Sequence, residues 1–334
     1  MSKPVPEWRD VDAKIFRERI FPSNRPAVLR SLVAAWPAVA DGRKSPQATV
    51  SYLLGLDQGG PLPLLTAPPA VQGRFFYGND MRGPNFERRT APLAAGLHAL
   101  LAQLANPDPP AIFMEAARVP DCLPTFTKFH RLELLDASIE PRIWIGNAVT
   151  VQTHYDLYSN IACVIAGSRR FTLFPPEQLP NLYPGPMDIT LAGVPVSMVR
   201  LEGPDYIRYP RFRTALEHAQ VVELEPGDAL FIPYGWWHRV ESLAALNVLV
   251  NYWWNDAAPT LSPKDSLLHA LFALRELPPE QRAVWRNLFD YYVFQTSGDP
   301  LGHLPPGIRG LMGERGEQAL RNVRKLLIES LSDS

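Results

Sequence analysis

Two histidines and one aspartate are the residues of this chain with the clearest capacity for chemistry. His154 and Asp156 flank Tyr155, and side chains at positions i and i+2 of a β-strand point to the same face. His238 ends the segment Pro-Tyr-Gly-Trp-Trp-His, which follows a strand-like run from Ala229 and is typical of a tight turn. Two imidazoles and a carboxylate on one face of a metal form the ligand triad of non-haem Fe(II) oxygenases. We therefore predict a metal site at these three residues.

A His-x-Asp tripeptide alone is weak evidence, because a single strand histidine is more often a packed or surface residue. The surrounding pattern strengthens the prediction. Residues 161–165 and 171–176 are two apolar runs joined by a Gly-containing turn, as in a β-hairpin. Residues 225–228, Glu-Pro-Gly-Asp, indicate a turn before the strand that leads to His238, and residues 246–254 form a further β-branched and aromatic run. The three ligands would therefore lie at strand ends that face a common interior.

Over residues 70–255 the chain resembles the cupin-like Jumonji C (JmjC) oxygenases, close to the branch with the asparaginyl hydroxylase that inhibits hypoxia-inducible factor. The resemblance implies a mainly β fold with flanking helices, built on a double-stranded β-helix core of the cupin or jelly-roll type. It also implies Fe(II) and the co-substrate 2-oxoglutarate, with His154, Asp156 and His238 as iron ligands. The matching segments, in order, are His154-Tyr-Asp156, Asn160, Gly167-Ser-Arg-Arg170, Leu173-Phe-Pro-Pro-Glu-Gln178, Leu182-Tyr-Pro184, Pro226-Gly-Asp228, Trp236-Trp-His238, Glu241-Ser242 and Asn251-Tyr-Trp253.

The resemblance extends to the co-substrate site residue by residue. Arg169 stands where the family has the lysine that pairs with the distal carboxylate of 2-oxoglutarate. A guanidinium retains that charge and can hold a carboxylate through two parallel hydrogen bonds. Asn160 and Asn251 match residues of the same pocket, and Tyr77 matches a tyrosine near the co-substrate. Without the resemblance, Arg169 would be read as a solvated hairpin residue.

The chain departs from the family pattern at Phe113, where the close relative has a tyrosine whose hydroxyl touches that carboxylate. Thr150 is the residue we expect to supply a replacement hydroxyl. Thr153 is the alternative, because the alignment of this short segment is ambiguous by a residue or two.

Composition indicates a folded protein. The 334 residues are 46% hydrophobic and 20% charged, with a net charge of −1. No apolar run approaches the length of a membrane span and the first residues lack an apolar signal segment, so the cytoplasm is the expected location. The near-neutral charge disfavours an electrostatic nucleic-acid binder. The arginines of residues 200–213 have two readings, a local basic patch or a solvated surface loop, of which the loop is preferred. Cys122 and Cys163 are expected to be buried thiols.

The pattern predicts three regions. Residues 1–110 are a lead-in of helices and short strands that packs on the core, with helices over 11–21, 45–55 and 93–104. Residues 111–256 form the catalytic double-stranded β-helix. Residues 257–334 form a helical region with helices over 262–277, 279–294 and 316–331, the first opened by a Ser-Pro pair that suits the N-cap and first turn. The apolar residues of these helices cap the β-helix or, as in the resembling hydroxylase, build a homodimer.

The function implied by the resemblance is an Fe(II)- and 2-oxoglutarate-dependent dioxygenase, a hydroxylase of a protein side chain or small molecule, with a tRNA base left open. Two alternatives stay open. The first is a metal-dependent cupin enzyme that does not use 2-oxoglutarate, which Phe113 and Arg169 keep in play. The second is a non-catalytic binding module of the same fold, against which the intact ligand set argues.

Overall fold

A computed structural model describes residues 3–257, 262–313 and 316–332. It divides into two compact units, Met1–Asn255 and Asp256–Ser334. None of the helices in these described ranges combines the length and the apolar character that crossing a membrane requires.

Fifteen strands, all in the first unit, supply the sheets that position the site. In chain order they are β1 Lys3–Pro4, β2 Glu7–Trp8, β3 Ala27–Leu29, β4 Pro61–Ala67, β5 Arg74–Phe75, β6 Glu87–Pro92, β7 Ala111–Arg118, β8 Pro141–Gly146, β9 Thr150–Tyr155, β10 Ser159–Ala166, β11 Arg169–Phe174, β12 Gln220–Leu224, β13 Ala229–Ile232, β14 Trp237–Ser242 and β15 Asn247–Trp254.

These strands form two sheets. One has six strands in the order β1-β12-β11-β14-β9-β5, and the other has nine in the order β2-β3-β13-β10-β15-β8-β7-β4-β6. Buried side chains of both sheets share one apolar cluster, in which Phe171 and Val240 of the six-stranded sheet join Ala162, Ile232 and Leu249 of the nine-stranded sheet. The sheets therefore pack face to face, which confirms the predicted jelly-roll core with flanking helices.

The helices that contain Val39, Val50 and Leu97 cover the other face of the nine-stranded sheet. Strand β10 is buried along its whole length, and its side chains alternate as a strand requires. Ile161, Cys163 and Ile165 belong to the apolar cluster that contains Val39 and Leu97 of the helices. The intervening Ala162 belongs to the cluster between the sheets. Both cysteines are buried and unpaired, as expected.

All three predicted helices of the first unit are present, together with three α-helices that were not predicted. The first predicted helix is a short α-helix that continues as a π-helix, Phe16–Ile20, and a 3-10 turn, Phe21–Ser23. The unpredicted helices are Pro37–Lys44, Val119–Cys122 and Phe212–Glu217. The α-helices are α1 Ala13–Ile15, α2 Pro37–Lys44, α3 Pro46–Leu54, α4 Leu93–Ala102, α5 Val119–Cys122 and α6 Phe212–Glu217, and the remaining 3-10 turns are Pro69–Val71, Phe126–Lys128 and Pro176–Asn181.

The second unit is helical at the predicted positions. Ser262 caps its first helix, since the Ser262 hydroxyl accepts a hydrogen bond from the backbone N–H of Asp265 at 3.2 Å. Its helices are α7 Pro263–Leu274, α8 Pro279–Leu288 with a π-helical continuation Phe289–Val293, a 3-10 turn Pro306–Ile308, α9 Gly310–Gly313 and α10 Glu317–Ser332.

Candidate active site

The predicted metal ligands meet where two antiparallel strands of the six-stranded sheet lie side by side. His154 of β9 is directly opposite His238 of β14, and their ring centroids are 4.3 Å apart. Asp156 follows the end of β9, with its Oδ2 atom 3.6 Å from Nε2 of His238. One ligand atom from each of the three residues lies within 4.8 Å of the others. The structure thus brings the three residues together.

The strand that carries His238 differs from the prediction. A single strand from Ala229 into a turn at His238 was expected. Instead β13 ends at Ile232, the turn comes first, and His238 is the second residue of β14. Gly235 in that turn has a φ of +77°, a left-handed conformation that glycine adopts without steric cost. The turn reverses the chain into the other sheet, and this reversal puts His238 opposite His154.

Backbone hydrogen bonds fix the orientation of both imidazoles. Nδ1 of His154 lies 2.8 Å from the carbonyl oxygen of Gln152, and Nδ1 of His238 lies 3.1 Å from that of Trp236. A carbonyl oxygen only accepts, so each Nδ1 carries the proton and each Nε2 keeps its lone pair. This arrangement, in which the outer ring nitrogen donates to a carbonyl, is the usual support of a metal-binding histidine.

The electrostatic environment also suits a cation. Burial is the largest of the effects that lower the pKa of His238 to about 4, so His238 is neutral at pH 7 and able to ligate. Oδ2 of Asp156 is buried, and none of the described residues gives it a hydrogen bond. A buried carboxylate oxygen without a partner is costly, and a divalent cation would remove that cost. The donor set of two nitrogens and one carboxylate oxygen fits Fe(II).

The triad opens into a cavity between the two sheets, and Arg169 lies in its wall. Arg169 is the first residue of β11 and is 3% exposed. Its Nε and Nη2 atoms are buried, and none of the described residues accepts a hydrogen bond from them. Burial lowers the pKa of Arg169 to about 9, so the guanidinium is still charged at pH 7. Arg169 is therefore not the solvated hairpin residue that its local sequence suggests.

The two predicted asparagines line the same cavity from the nine-stranded sheet. Nδ2 of Asn251 donates to Oδ1 of Asn160 at 3.2 Å, and the indole N–H of Trp144 donates to Oδ1 of Asn251 at 2.7 Å. Phe113 is 2% exposed and also lines the cavity. Carboxamide groups and apolar rings thus face the charged Arg169 across the space between the sheets.

The other two predicted co-substrate residues lie elsewhere. Tyr77 lines a separate cavity, and its hydroxyl donates to the carbonyl oxygen of Ile189 at 2.6 Å. Thr150 pairs with Arg74 of β5, and it is Val151 that lines the cavity of the triad. A direct contact of Tyr77 or Thr150 with the co-substrate stays a prediction that this placement does not support.

Sequence reasoning missed several residues of the cavity wall. Most stand two positions from a predicted site residue on the same strand, so period-two alternation could have identified them. Trp144 had no such local signal, because it reaches Asn251 from a neighbouring strand. The wall residues missed as site residues are Trp144, Val151, Ala162, Phe171, Ile232, Val240, Leu249 and Trp253.

Comparison with known proteins agrees with this geometry. The sequence profile of the family described as "Cupin-like domain" matches residues 12–259, which include all three predicted ligands. The chain belongs to the JmjC-type cupin-like domain family. The match also covers the strands of both sheets from β3 onwards, so the JmjC-type domain takes in the N-terminal region as well as the triad.

Named relatives of this JmjC-type chain differ in how much they share with it. Over 114 residues it is 41% identical to lysine-specific demethylase JMJ31 of Arabidopsis thaliana, covering 34% of this chain and 20% of the relative. Over 116 residues it is 40% identical to human HSPB1-associated protein 1, covering 34% and 23%. With tRNA wybutosine-synthesizing protein 5 of Mus musculus it is 28% identical over 331 residues, covering 87% and 93%. The first two matches thus span no more than a quarter of the relatives' length.

Proposed function

We propose that this protein is an Fe(II)- and 2-oxoglutarate-dependent dioxygenase that hydroxylates a protein side chain or a small molecule. The observation that supports this most strongly is Arg169, a buried guanidinium with two unpartnered nitrogens in the same cavity as the triad. A buried charge without a partner is destabilising. A carboxylate of 2-oxoglutarate is the counter-charge that the cavity lacks.

The triad, Arg169 and the apolar wall of the cavity each have a role in this proposal. His154, Asp156 and His238 would hold Fe(II), which when bound supplies the oxidising chemistry with 2-oxoglutarate and O₂. Arg169 would bind the distal carboxylate through its guanidinium fork. The apolar wall around these groups excludes water, which strengthens the charge pairing within the cavity.

The carboxamides position the remaining polar contacts. Asn251 is held on both sides, by the indole of Trp144 and by Asn160. The Asn251–Asn160 pair is therefore oriented before any ligand binds, which lowers the ordering cost of binding. Phe113 has no hydroxyl group. Arg169 would therefore bind the distal carboxylate of 2-oxoglutarate without a hydrogen bond from residue 113.

Measuring succinate formation and O₂ uptake with Fe(II) and 2-oxoglutarate tests the proposal. Succinate that depends on both Fe(II) and the triad supports it. Metal binding and substrate turnover without succinate would favour the cupin enzyme that does not use 2-oxoglutarate. Metal binding without turnover of any kind would favour the binding module.

The substrate class has a second candidate, the base of a tRNA nucleoside. It is favoured by the relative named tRNA wybutosine-synthesizing protein 5, which aligns with 87% of this chain. A comparison of succinate formation stimulated by bulk tRNA, by peptides and by small metabolites discriminates between the candidates. Stimulation by tRNA alone would overturn the assignment to a protein side chain or small molecule.

We also propose that the C-terminal helices hold two copies of the chain together. Helices α7 and α8 have no buried residues within the described structure, and their apolar side chains are exposed. Phe272 is 65% exposed, Leu267 is 55% exposed and Val284 is 58% exposed. Exposed apolar side chains that recur on two consecutive helices are typical of an interface. The homodimer expected from the resemblance is one that these helices could form.

A further inference from the structure

A second cavity lies beside the edge strand β5, and none of its lining residues lines the cavity of the triad. Its volume is about 520 Å³, within the range of roughly 300–1,000 Å³ that is common for small-molecule sites. Its wall combines polar and cationic side chains with apolar ones in about equal measure. The lining includes Gln72, Arg74, Asn79 and Arg200, with the rings of Phe76 and Tyr77.

Arg74 brings a positive charge to this cavity that the protein does not neutralise. No carboxylate of the described residues lies within ion-pairing distance of it, and its buried Nε has no hydrogen-bond partner there. Its Nη2 atom is 3.5 Å from Oε1 of Gln152, the outer limit of a hydrogen bond. Burial, with the like charges of Arg200 and Arg239, lowers the pKa of Arg74 to about 10. An anion in the cavity would accept a hydrogen bond from Arg74 and would offset the repulsion between Arg74 and the neighbouring arginines.

Arg200 adds a second guanidinium from a different segment. Its side chain is 55% exposed, and its Nε is 3.8 Å from Oε2 of Glu202. The same Glu202 forms a closer ion pair with Arg239, which is also paired with Glu241 at 2.9 Å. Glu202 and Glu241 are therefore engaged mainly by Arg239. Two other carboxylates lie nearby, Asp80 next to Gly78 and Asp188 near Tyr77, but the lining itself contains two arginines and no acidic residue.

The backbone around Arg74 is fixed before any ligand binds. Gly73 has a φ of +72°, and a Cβ there would lie 2.3 Å from the carbonyl oxygen of Ala148, so only glycine allows this close approach. Asn85 accepts a hydrogen bond from the N–H of Phe76 at 2.8 Å and donates to the carbonyl oxygen of Arg74 at 3.0 Å. The Arg74 guanidinium also stacks on the Phe76 ring at 4.2 Å. Such preorganisation reduces the entropy cost of binding.

We propose that this cavity binds the phosphate group of a small organic phosphate through Arg74 and Arg200. Two guanidiniums from separate segments, with the carboxamides of Gln72 and Asn79 in the same wall, present more donors than one carboxylate can use. A phosphate monoester has three terminal oxygens and about two negative charges, which match them. The volume beyond the phosphate leaves room for the organic part, next to the Phe76 and Tyr77 rings.

Calorimetric titration of the full-length protein with inorganic phosphate and with adenosine 5′-monophosphate, at fixed ionic strength, tests the proposal. We expect saturable binding of both. Arg74→Gln should weaken it by roughly tenfold or more, since a hydrogen bond to a charged group is lost, and the more exposed Arg200→Gln should weaken it less. The matched control is Arg213→Gln, because Arg213 also stacks on an aromatic ring, that of Tyr206 at 3.8 Å, but does not line the cavity.

Several outcomes would overturn the proposal. Among them are no saturable binding of either phosphate probe, and equal weakening by the Arg213→Gln control. Succinate binding to the Arg169→Met protein as tightly as phosphate would also overturn it, since the cavity would then be a general carboxylate site. If Arg74→Gln does not melt as a folded protein, the exposed Arg200→Gln variant decides, and unchanged phosphate affinity there contradicts the proposal. Retained phosphate binding in Arg169→Met supports a site independent of the triad.

Discussion

Replacing Arg169 by methionine should have opposite effects on the ligand-free protein and on the affinity for 2-oxoglutarate. Methionine fills a similar volume without the charge. In the ligand-free state the Arg169 guanidinium is buried without a counter-charge among the described residues. Burial lowers the pKa of Arg169 from its ordinary value to about 9, which corresponds to on the order of 5 kcal/mol at about 1.4 kcal/mol for each pKa unit.

Only part of the free-energy cost of burying the Arg169 charge is recovered when methionine replaces it, because Arg169 and its surroundings relax around the charge. We expect Arg169→Met to raise the free energy of unfolding of the ligand-free protein by about 1–3 kcal/mol, as is common when a buried ion is replaced by an apolar side chain. The depressed pKa sets the pH dependence. The cost of the charge is present in full below about pH 9 and shrinks as the pH rises further, so the stability difference should be largest at neutral pH.

The affinity for 2-oxoglutarate should change in the other direction. A hydrogen bond to a charged group contributes about 1.5–3 kcal/mol, so its loss should weaken binding by roughly 10- to 150-fold. Arg169→Lys keeps the charge without the fork and should fall between the wild type and Arg169→Met. Urea unfolding measures the stability, and anaerobic titration of the Fe(II)-loaded protein measures the affinity.

The neighbouring residue is the matched control. Arg170 lies on the opposite face of β11 and forms ion pairs with Glu223 at 2.6 Å and with Glu241 at 3.8 Å. Arg170→Met should therefore leave the affinity for 2-oxoglutarate unchanged and should not stabilise the protein. Equal affinities of the wild type and Arg169→Met would refute the reasoning, and so would a loss of affinity in Arg170→Met as large as that in Arg169→Met.

Three further predictions concern the metal, the dimer and the turn before β11. His154→Ala should lose bound Fe(II) after dialysis, measured by atomic absorption, whereas His218→Ala, at a partly exposed site outside the triad, should retain it. Full retention of Fe(II) in both variants contradicts the triad. Light scattering should show a dimer that Phe272→Glu dissociates and that Ile207→Glu, at a position 97% exposed, leaves intact; a monomeric wild type removes the dimer proposal. Gly167→Ala should lower the free energy of unfolding by about 1–3 kcal/mol or more, because Gly167 has a φ of +71° and a Cβ there would meet Oδ1 of Asn247 at 2.4 Å; unchanged urea unfolding would show that the turn adapts.

The sequence was most informative where the signal is local. The i, i+2 spacing of His154 and Asp156 was enough to place both on one face, and the Ser262 cap marked the start of a helix that the structure has. The contact between Trp144 and Asn251 depends instead on two strands that are 107 residues apart in the chain. Their register is set by tertiary packing, and no local pattern encodes it.

Strand β4 was missed because its sequence contains two prolines, Pro61 and Pro63, which argue against a central strand. In the structure β4 pairs with β7 only over Leu64–Ala67. The prolines precede that stretch and pair with β6 alone. Proline has no backbone N–H, but neither proline pairs with β7, so no hydrogen bond to β7 is lost. Strand β4 therefore tolerates both residues.

The choice between Thr150 and Thr153 could not be made from the sequence because a β-bulge interrupts β9. His154 is opposite His238, and Val151 is opposite Val240, so two residues of β9 oppose one residue of β14 between these pairs. A bulge shifts the alternation of side chains. Without glycine or proline in this segment, nothing in the sequence marked the shift that brings Val151 to the cavity wall.

Which of the two adjacent arginines becomes buried follows from the apolar residues beyond them. Phe171 and Leu173 lie in the apolar cluster between the sheets, and residues two apart share a face, so Arg169 must point inward with them and Arg170 outward. A slip of one residue would bury Arg170 and expose the Phe171 ring. The hydrophobic gain from Phe171 and Leu173, about 1.5–3 kcal/mol for each fully buried side chain, therefore helps to hold a charge in the cavity that the ligand-free protein does not neutralise. Strand β11 would then be stable although the charge of Arg169 is unpaired. An anionic co-substrate would gain most of its binding energy at Arg169.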